Sequence, residues 1–137
     1  MRLELVAHTP NIETMIATSM LTTTSGAQPS TLYDRLLNRP GKVKEVVGRA
    51  EVQHGNILEH NHLVWLLEAT ESEVLEATLD TSYLTFTRLD GNRWLLSGNL
   101  RAAVEYAQKK KTPLTEAIAA SVKRVAPDIR FLEHEER

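Results

Sequence analysis

Apolar and polar positions alternate at the start of the chain. Leu3, Leu5 and Ala7 interleave with Arg2 and Glu4, and this period of two predicts a strand over residues 2–8. The period then lengthens. Thr9-Pro10-Asn11 reads as a turn and a helix start with Asn11 as the cap, and Ile12, Met15, Ile16, Ser19 and Met20 recur on one helical face. Thr22-Thr23-Thr24-Ser25-Gly26 ends that helix in a polar linker. A short helix begins at Ser30 or Thr31 and runs through Leu32, Arg35, Leu36 and Leu37. After Asn38-Arg39-Pro40-Gly41, Val43, Val46, Val47 and Ala50 return at helical spacing, which predicts a third helix ending near His54-Gly55.

The apolar run Leu63-Val64-Trp65-Leu66-Leu67 predicts a buried strand over 61–68. A helix follows from Glu71 to Leu79, with Ser72 as cap and Val74, Leu75 and Leu79 inward. Tyr83 to Arg88 alternates as a strand, Asp90-Gly91-Asn92 signals a hairpin turn, and Arg93 to Ser97 is the partner strand. Helices run over 99–110 and 113–125, the second opening on Pro113 with Glu116 in its first turn. Glu133 to Arg137 forms a charged tail. The order β-α-α-α-β-α-β-β-α-α predicts an α+β fold, helices packed on a small mixed or antiparallel sheet, as one domain over 1–137.

Composition narrows the classes. A chain of 137 residues with 42% apolar and 25% charged positions suits one globular core. A formal net charge of −2 gives no basic field for nucleic acid. The absence of cysteine excludes disulfides, thiolate zinc sites and a cysteine nucleophile. No apolar run approaches a membrane span, and the amino terminus lacks a signal peptide's succession of basic, apolar and small residues, so a cytoplasmic protein is expected.

Two stretches concentrate chemistry. His54-Gly55-Asn56-Ile57-Leu58-Glu59-His60 sets two imidazoles, an amide and a carboxylate at the mouth of the buried strand. Glu59 either lines a ligand or locks this loop to the strand. His60 and His62 would share a strand face, with Glu59 or His54 as a third metal ligand, but His62 enters an apolar strand and cysteine is lacking, so no metal is assigned. Downstream, Asn99 and Arg101 open a helix. Free N–H groups at a helix start and an arginine fork suit phosphate, whereas the alternative is a capping Asn99 beside a solvated Arg101. Lys109-Lys110-Lys111 would steady the end of its own helix or meet a nucleotide phosphate on a neighbouring subunit. Glu76 and Asp80 read as a solvated carboxylate pair.

His54-Gly55-Asn56-x-Leu58-Glu59-His60 and the strand after it resemble the Gly-His-x-Ser/Thr-x-x-Glu-His stretch of flavin-dependent thymidylate synthases. Trp94 to Ala102, with its Asn99-Leu100-Arg101, resembles that family's Asn-Leu-Arg segment, and Leu3 to Pro10 resembles its first strand and turn. The resemblance implies the family's α+β fold, a homotetramer whose sites draw on several subunits, and FAD held by His54, Asn56, Glu59, Asn99 and Arg101. The apolar load of Trp65, Trp94 and many leucines points the same way on assembly.

The family's Arg-His-Arg signature is missing. Its place holds Leu79-Asp80-Thr81, Gln53 replaces the leading glycine, and Asn56 replaces the Ser/Thr. The expectation is therefore a flavin-nucleotide-binding relative, open to a nucleotide substrate, that does not by itself methylate dUMP. The second expectation is a non-catalytic oligomeric binding or interaction module that keeps only the fold.

Overall fold

The computed structural model describes residues 1–22, 26–49 and 58–129. The elements follow the expected order: β1 (Arg2–His8), α1 (Ile12–Thr22), α2 (Pro29–Leu37), α3 (Pro40–Gly48), β2 (His62–Glu68), α4 (Glu71–Asp80), β3 (Thr85–Asp90), β4 (Arg93–Asn99), α5 (Leu100–Lys109) and α6 (Pro113–Val125). The strands form one sheet in the order β1-β2-β4-β3. Every pairing is antiparallel, so the sheet is not mixed.

Register explains which apolar residues go inside. Leu63 lies opposite Gly98, Trp65 opposite Leu96 and Leu67 opposite Trp94, and all six positions are buried on one face. Val64 and Leu66 point the other way and stay half-buried, as does Leu95 opposite Leu66. The run 63–67 is thus a strand with one face in the core rather than two. Trp65 and Trp94 both sit in that core, so neither tryptophan is available as a surface motive for assembly. The Trp94 indole N–H donates to the Ala69 carbonyl at 3.0 Å, which supplies the partner a buried indole requires.

Helices cover the inner face. Ile12, Ile16 and Ala17 of α1, Val46 and Val47 of α3, and Ile118 and Val122 of α6 all join the same cluster. α1 packs on α2 and α3, while α5 packs on α6.

Several element ends differ from expectation for identifiable reasons. Asn11 stands at the start of α1, its carbonyl accepting the Met15 N–H at 3.0 Å, but its left-handed φ of 53° departs from the extended backbone of a side-chain cap. Its amide instead donates to the Tyr33 hydroxyl at 3.3 Å. α2 opens on Pro29 and α3 on Pro40, because proline suits the first helical position. α3 closes at Gly48, and the expected continuation from Ala50 lies outside the described residues, as does the tail from Glu133.

The cap of α4 is Thr70, not Ser72. The Glu73 N–H donates to Thr70 Oγ1 (3.2 Å) and the Thr70 N–H donates to Glu73 Oε1 (2.9 Å), a reciprocal box. The Thr70 N–H bond, then a second from the Thr70 hydroxyl to the same oxygen (3.1 Å), hold the Glu73 carboxyl below its ordinary range. The box and the Ala69 N–H bond to Asn92 O (2.9 Å) set the entry angle of α4. Val74 and Ala77 consequently face the core, while Leu75 and Leu79, expected inward, are 59% and 87% exposed.

The remaining tight point is Gly98. A Cβ there would stand 2.5 Å from Leu84 Cδ2 and 3.1 Å from the Tyr83 carbonyl oxygen, so the chain entering β3 lies directly on β4. Among the described residues no helix is long and apolar enough to cross a membrane.

Candidate functional site

Antiparallel pairing of β2 with β4 sets His62 opposite Asn99, and the Leu100 N–H donates to Asn61 O at 2.8 Å. The turn before β2 is thereby fastened to the start of α5. Glu59 and Arg101, separated by 42 residues, meet as an ion pair between Arg101 Nη1 and Glu59 Oε1. Arg101 Nε also donates to Glu105 Oε1 at 2.9 Å, one helical turn on. The Glu105 and Glu59 hydrogen bonds push the guanidinium pKa above its ordinary value.

Asn99 caps α5: its Oδ1 accepts the Ala102 N–H at 2.8 Å. Glu59, Asn99 and Arg101 line one cleft of about 330 Å³ with Tyr83, Ala102 and Glu105. His54 and Asn56 lie outside the described residues. Three of the five expected ligand residues are therefore brought together, with both Glu59 and Asn99 already engaged in structural bonds.

A second hollow of about 150 Å³ shares Tyr83, Ala102 and Glu105 with the first and continues to Asp80, Thr81, Ser82, Tyr106 and Lys109. Tyr83, expected inside a strand, lies in the bend before β3 and is 77% exposed where the hollows meet. An exposed phenol ring there suits stacking on a flat heterocycle.

Asp80 is not the solvated carboxylate that its spacing from Glu76 suggests. Its Oδ2 lies 2.9 Å from Lys110 Nζ, and its carbonyl oxygen accepts from Lys109 Nζ at 3.0 Å. Lys109 stands in the last turn of its own helix as expected, and Lys109 and Lys110 also steady the carboxyl end of α4; cations are favoured at either place. Burial, then the Asp80 charge, pushes the Tyr106 phenol up.

Asn61 escaped sequence reasoning. Its side chain is wholly buried, and among the described residues neither amide atom has a hydrogen-bond partner. The signal was its inward parity with Leu63, Trp65 and Leu67. His60 and His62 are both exposed on either side of it, and among the described residues no three His, Cys, Asp or Glu side chains gather as a metal would need. Thr9 fixes the far side of this turn, donating from N to His62 O (2.9 Å) and accepting from the His62 N–H at Oγ1 (2.8 Å).

Compared with known proteins, the chain matches no family model, no curated protein and no solved structure.

Proposed function

We propose that this chain is a cytoplasmic flavin-nucleotide-binding protein resembling the flavin-dependent thymidylate synthases, and that it does not methylate dUMP on its own. The observation that carries the reading is the convergence of Glu59, Asn99 and Arg101 on one cleft. The residues available there suit the polar part of a flavin. Arg101 offers a guanidinium with five N–H donors, of which the bonds to Glu59 and Glu105 engage two. Both pairs are half-exposed, and exposed ion pairs contribute little, so phosphate can replace a carboxylate without a large penalty.

Glu59 and Glu105 can accept from ribityl hydroxyls or ring N–H groups, and Tyr83 can stack. A bound flavin would supply electron transfer, while the residues named here bind and orient it. Titration of purified protein with FAD and FMN, followed by calorimetry and by visible absorbance, tests the reading. Saturable binding supports it, and absence of binding to both flavins overturns it.

A second reading, a non-catalytic oligomeric module, draws on a different feature. The outer face of the sheet presents Val64, Leu66 and Leu95 half-exposed, with Val6 51% exposed on β1. In that reading Glu59–Arg101–Glu105 is only a tie between the turn and α5. A colourless homo-oligomer that ignores flavin would favour it.

A further inference from the structure

Val64, Leu66 and Leu95, on the outer face of the sheet, take no part in the core that the described helices build against the other face. Alternation along the strands arranges this outer face in rows that run across it. At the hairpin end Arg2 lies opposite Glu68, Glu68 opposite Arg93 and Arg93 opposite Asp90, and all four are exposed. Arg93 Nη1 stands 3.4 Å from Asp90 Oδ2, which keeps that carboxylate in the row. In the strand order β1-β2-β4-β3 the row reads positive, negative, positive, negative. The next row is Glu4, Leu66, Leu95 and Thr87, and the one after it Ala7, Val64, Ser97 and Thr85.

We propose that this face binds a second copy of the chain, sheet on sheet, about a twofold axis that runs along the strands between β2 and β4. Sheets packed face to face keep their strands within about 30° of each other, so the rows of the two copies meet. The axis reverses each row, and a row of alternating charges on four strands is complementary to its own reverse. Arg2 then meets Asp90 of the second copy and Glu68 meets its Arg93, each contact occurring twice. Leu66 meets Leu95 of the second copy, and Glu4 accepts from its Thr87 hydroxyl. The inference rests on the second reading above, in which this face assembles, and is independent of flavin binding.

Charge selects this geometry. A twofold across the strands would lay the charged row on Ala7, Val64, Ser97 and Thr85. Those charges would then lose water with no opposite charge across the contact, which is costly. The same alternation favours a second copy over an unrelated protein, because the complement of the face is carried on the face itself. A contact of this self-complementary kind closes at two chains.

Sedimentation of the full chain over a concentration series tests the pairing, and the wild type should self-associate as a dimer. Glu68→Arg sets an arginine against Arg93 of the second copy, and Arg93→Glu sets two carboxylates together. Each change alone should raise the dissociation constant about tenfold or more, since like charges placed opposite each other disfavour association. Mixed in equal amounts, the two variants should form a one-to-one heterodimer, because every contact in the row is then between opposite charges. A variant that merely misfolds cannot recover in this way. Lys123→Glu, at an exposed position of α6, makes the same change of net charge as Arg93→Glu and should leave the dimer intact. A monomeric wild type would overturn this proposal together with the second reading. Single variants that dimerise like the wild type, a mixture that stays monomeric, or a Lys123→Glu chain that dissociates would overturn the pairing and leave that reading standing.

Discussion

Arg101 is the residue on which the flavin reading turns. Its charge is shared between Glu59 and Glu105, so its contribution to a ligand must come from exchanging those partners. Replacing Arg101 by Ala should weaken FAD binding about tenfold to a hundredfold, the scale of a charge-assisted contact. Calorimetry on both proteins measures this, and an unchanged affinity would remove Arg101 from the site. Gly98 poses a packing question instead. The Leu84 methyl can swing away from a new Cβ, but the Tyr83 carbonyl 3.1 Å off is backbone. Gly98→Ala should therefore cost about 1–3 kcal/mol in urea unfolding, the usual penalty of overpacking. Of these features, Asn99 and Arg101 were visible in the sequence because a helix start after a strand has a recognisable composition. The Glu59–Arg101 pair was not, since only the register of two distant strands brings those side chains together. Nor was the burial of Asn61, a polar side chain that only the docking of its turn against the sheet encloses.

At the scale of elements, the alternating and helical periods located the strands and helices of the described residues in the right order. The hairpin was legible from Asp90-Gly91-Asn92, and Gly91 takes the left-handed φ of 44° that the turn demands. Val74, Leu75 and Leu79 all fit a helical stripe, and hydrophobicity alone favoured the leucines. Docking instead placed the smaller Ala77 inside, beside a hollow of about 90 Å³ that it lines with Leu67, Ala69, Tyr106 and Leu114. Three substitutions test this placement of α4. Thr70→Ala should cost about 1 kcal/mol through loss of the cap, whereas Ser72→Ala should be nearly neutral. Leu79→Ser should stay within about 0.5 kcal/mol of wild type in thermal unfolding, because the side chain is 87% exposed. A large loss at Leu79 would mean that this face of α4 is covered in solution.

For the whole molecule, the half-exposed Val64, Leu66 and Leu95 replace the tryptophans as the reason to expect self-association. Light scattering at micromolar concentration should give more than the monomer mass of 15.4 kDa, and a monomer would count against any shared site. Catalysis is a stricter demand than binding. Making dTMP from dUMP requires nucleotide, folate and flavin held in one orientation, and loss of such positioning is costly to rate. The segment 79–81, which in the proposed reading stands in the place of the synthases' Arg-His-Arg, offers Leu79 to solvent and commits Asp80 to Lys110 and Lys109. Lys110 offsets the Asp80 charge, so repulsion of phosphate is not the main obstacle. The obstacle is the absence of two guanidinium forks and an imidazole at that helix end. Lys109 and Lys110 cannot stand in for them while they hold α4, since an ammonium is a point donor and a guanidinium a planar fork. The expected outcome is no growth of a thymidine-requiring bacterial strain carrying this chain, and no dTMP from purified protein given dUMP, methylenetetrahydrofolate, FAD and NADPH. Growth without thymidine together with dTMP formed in vitro would show that another set of residues supplies the missing orientation.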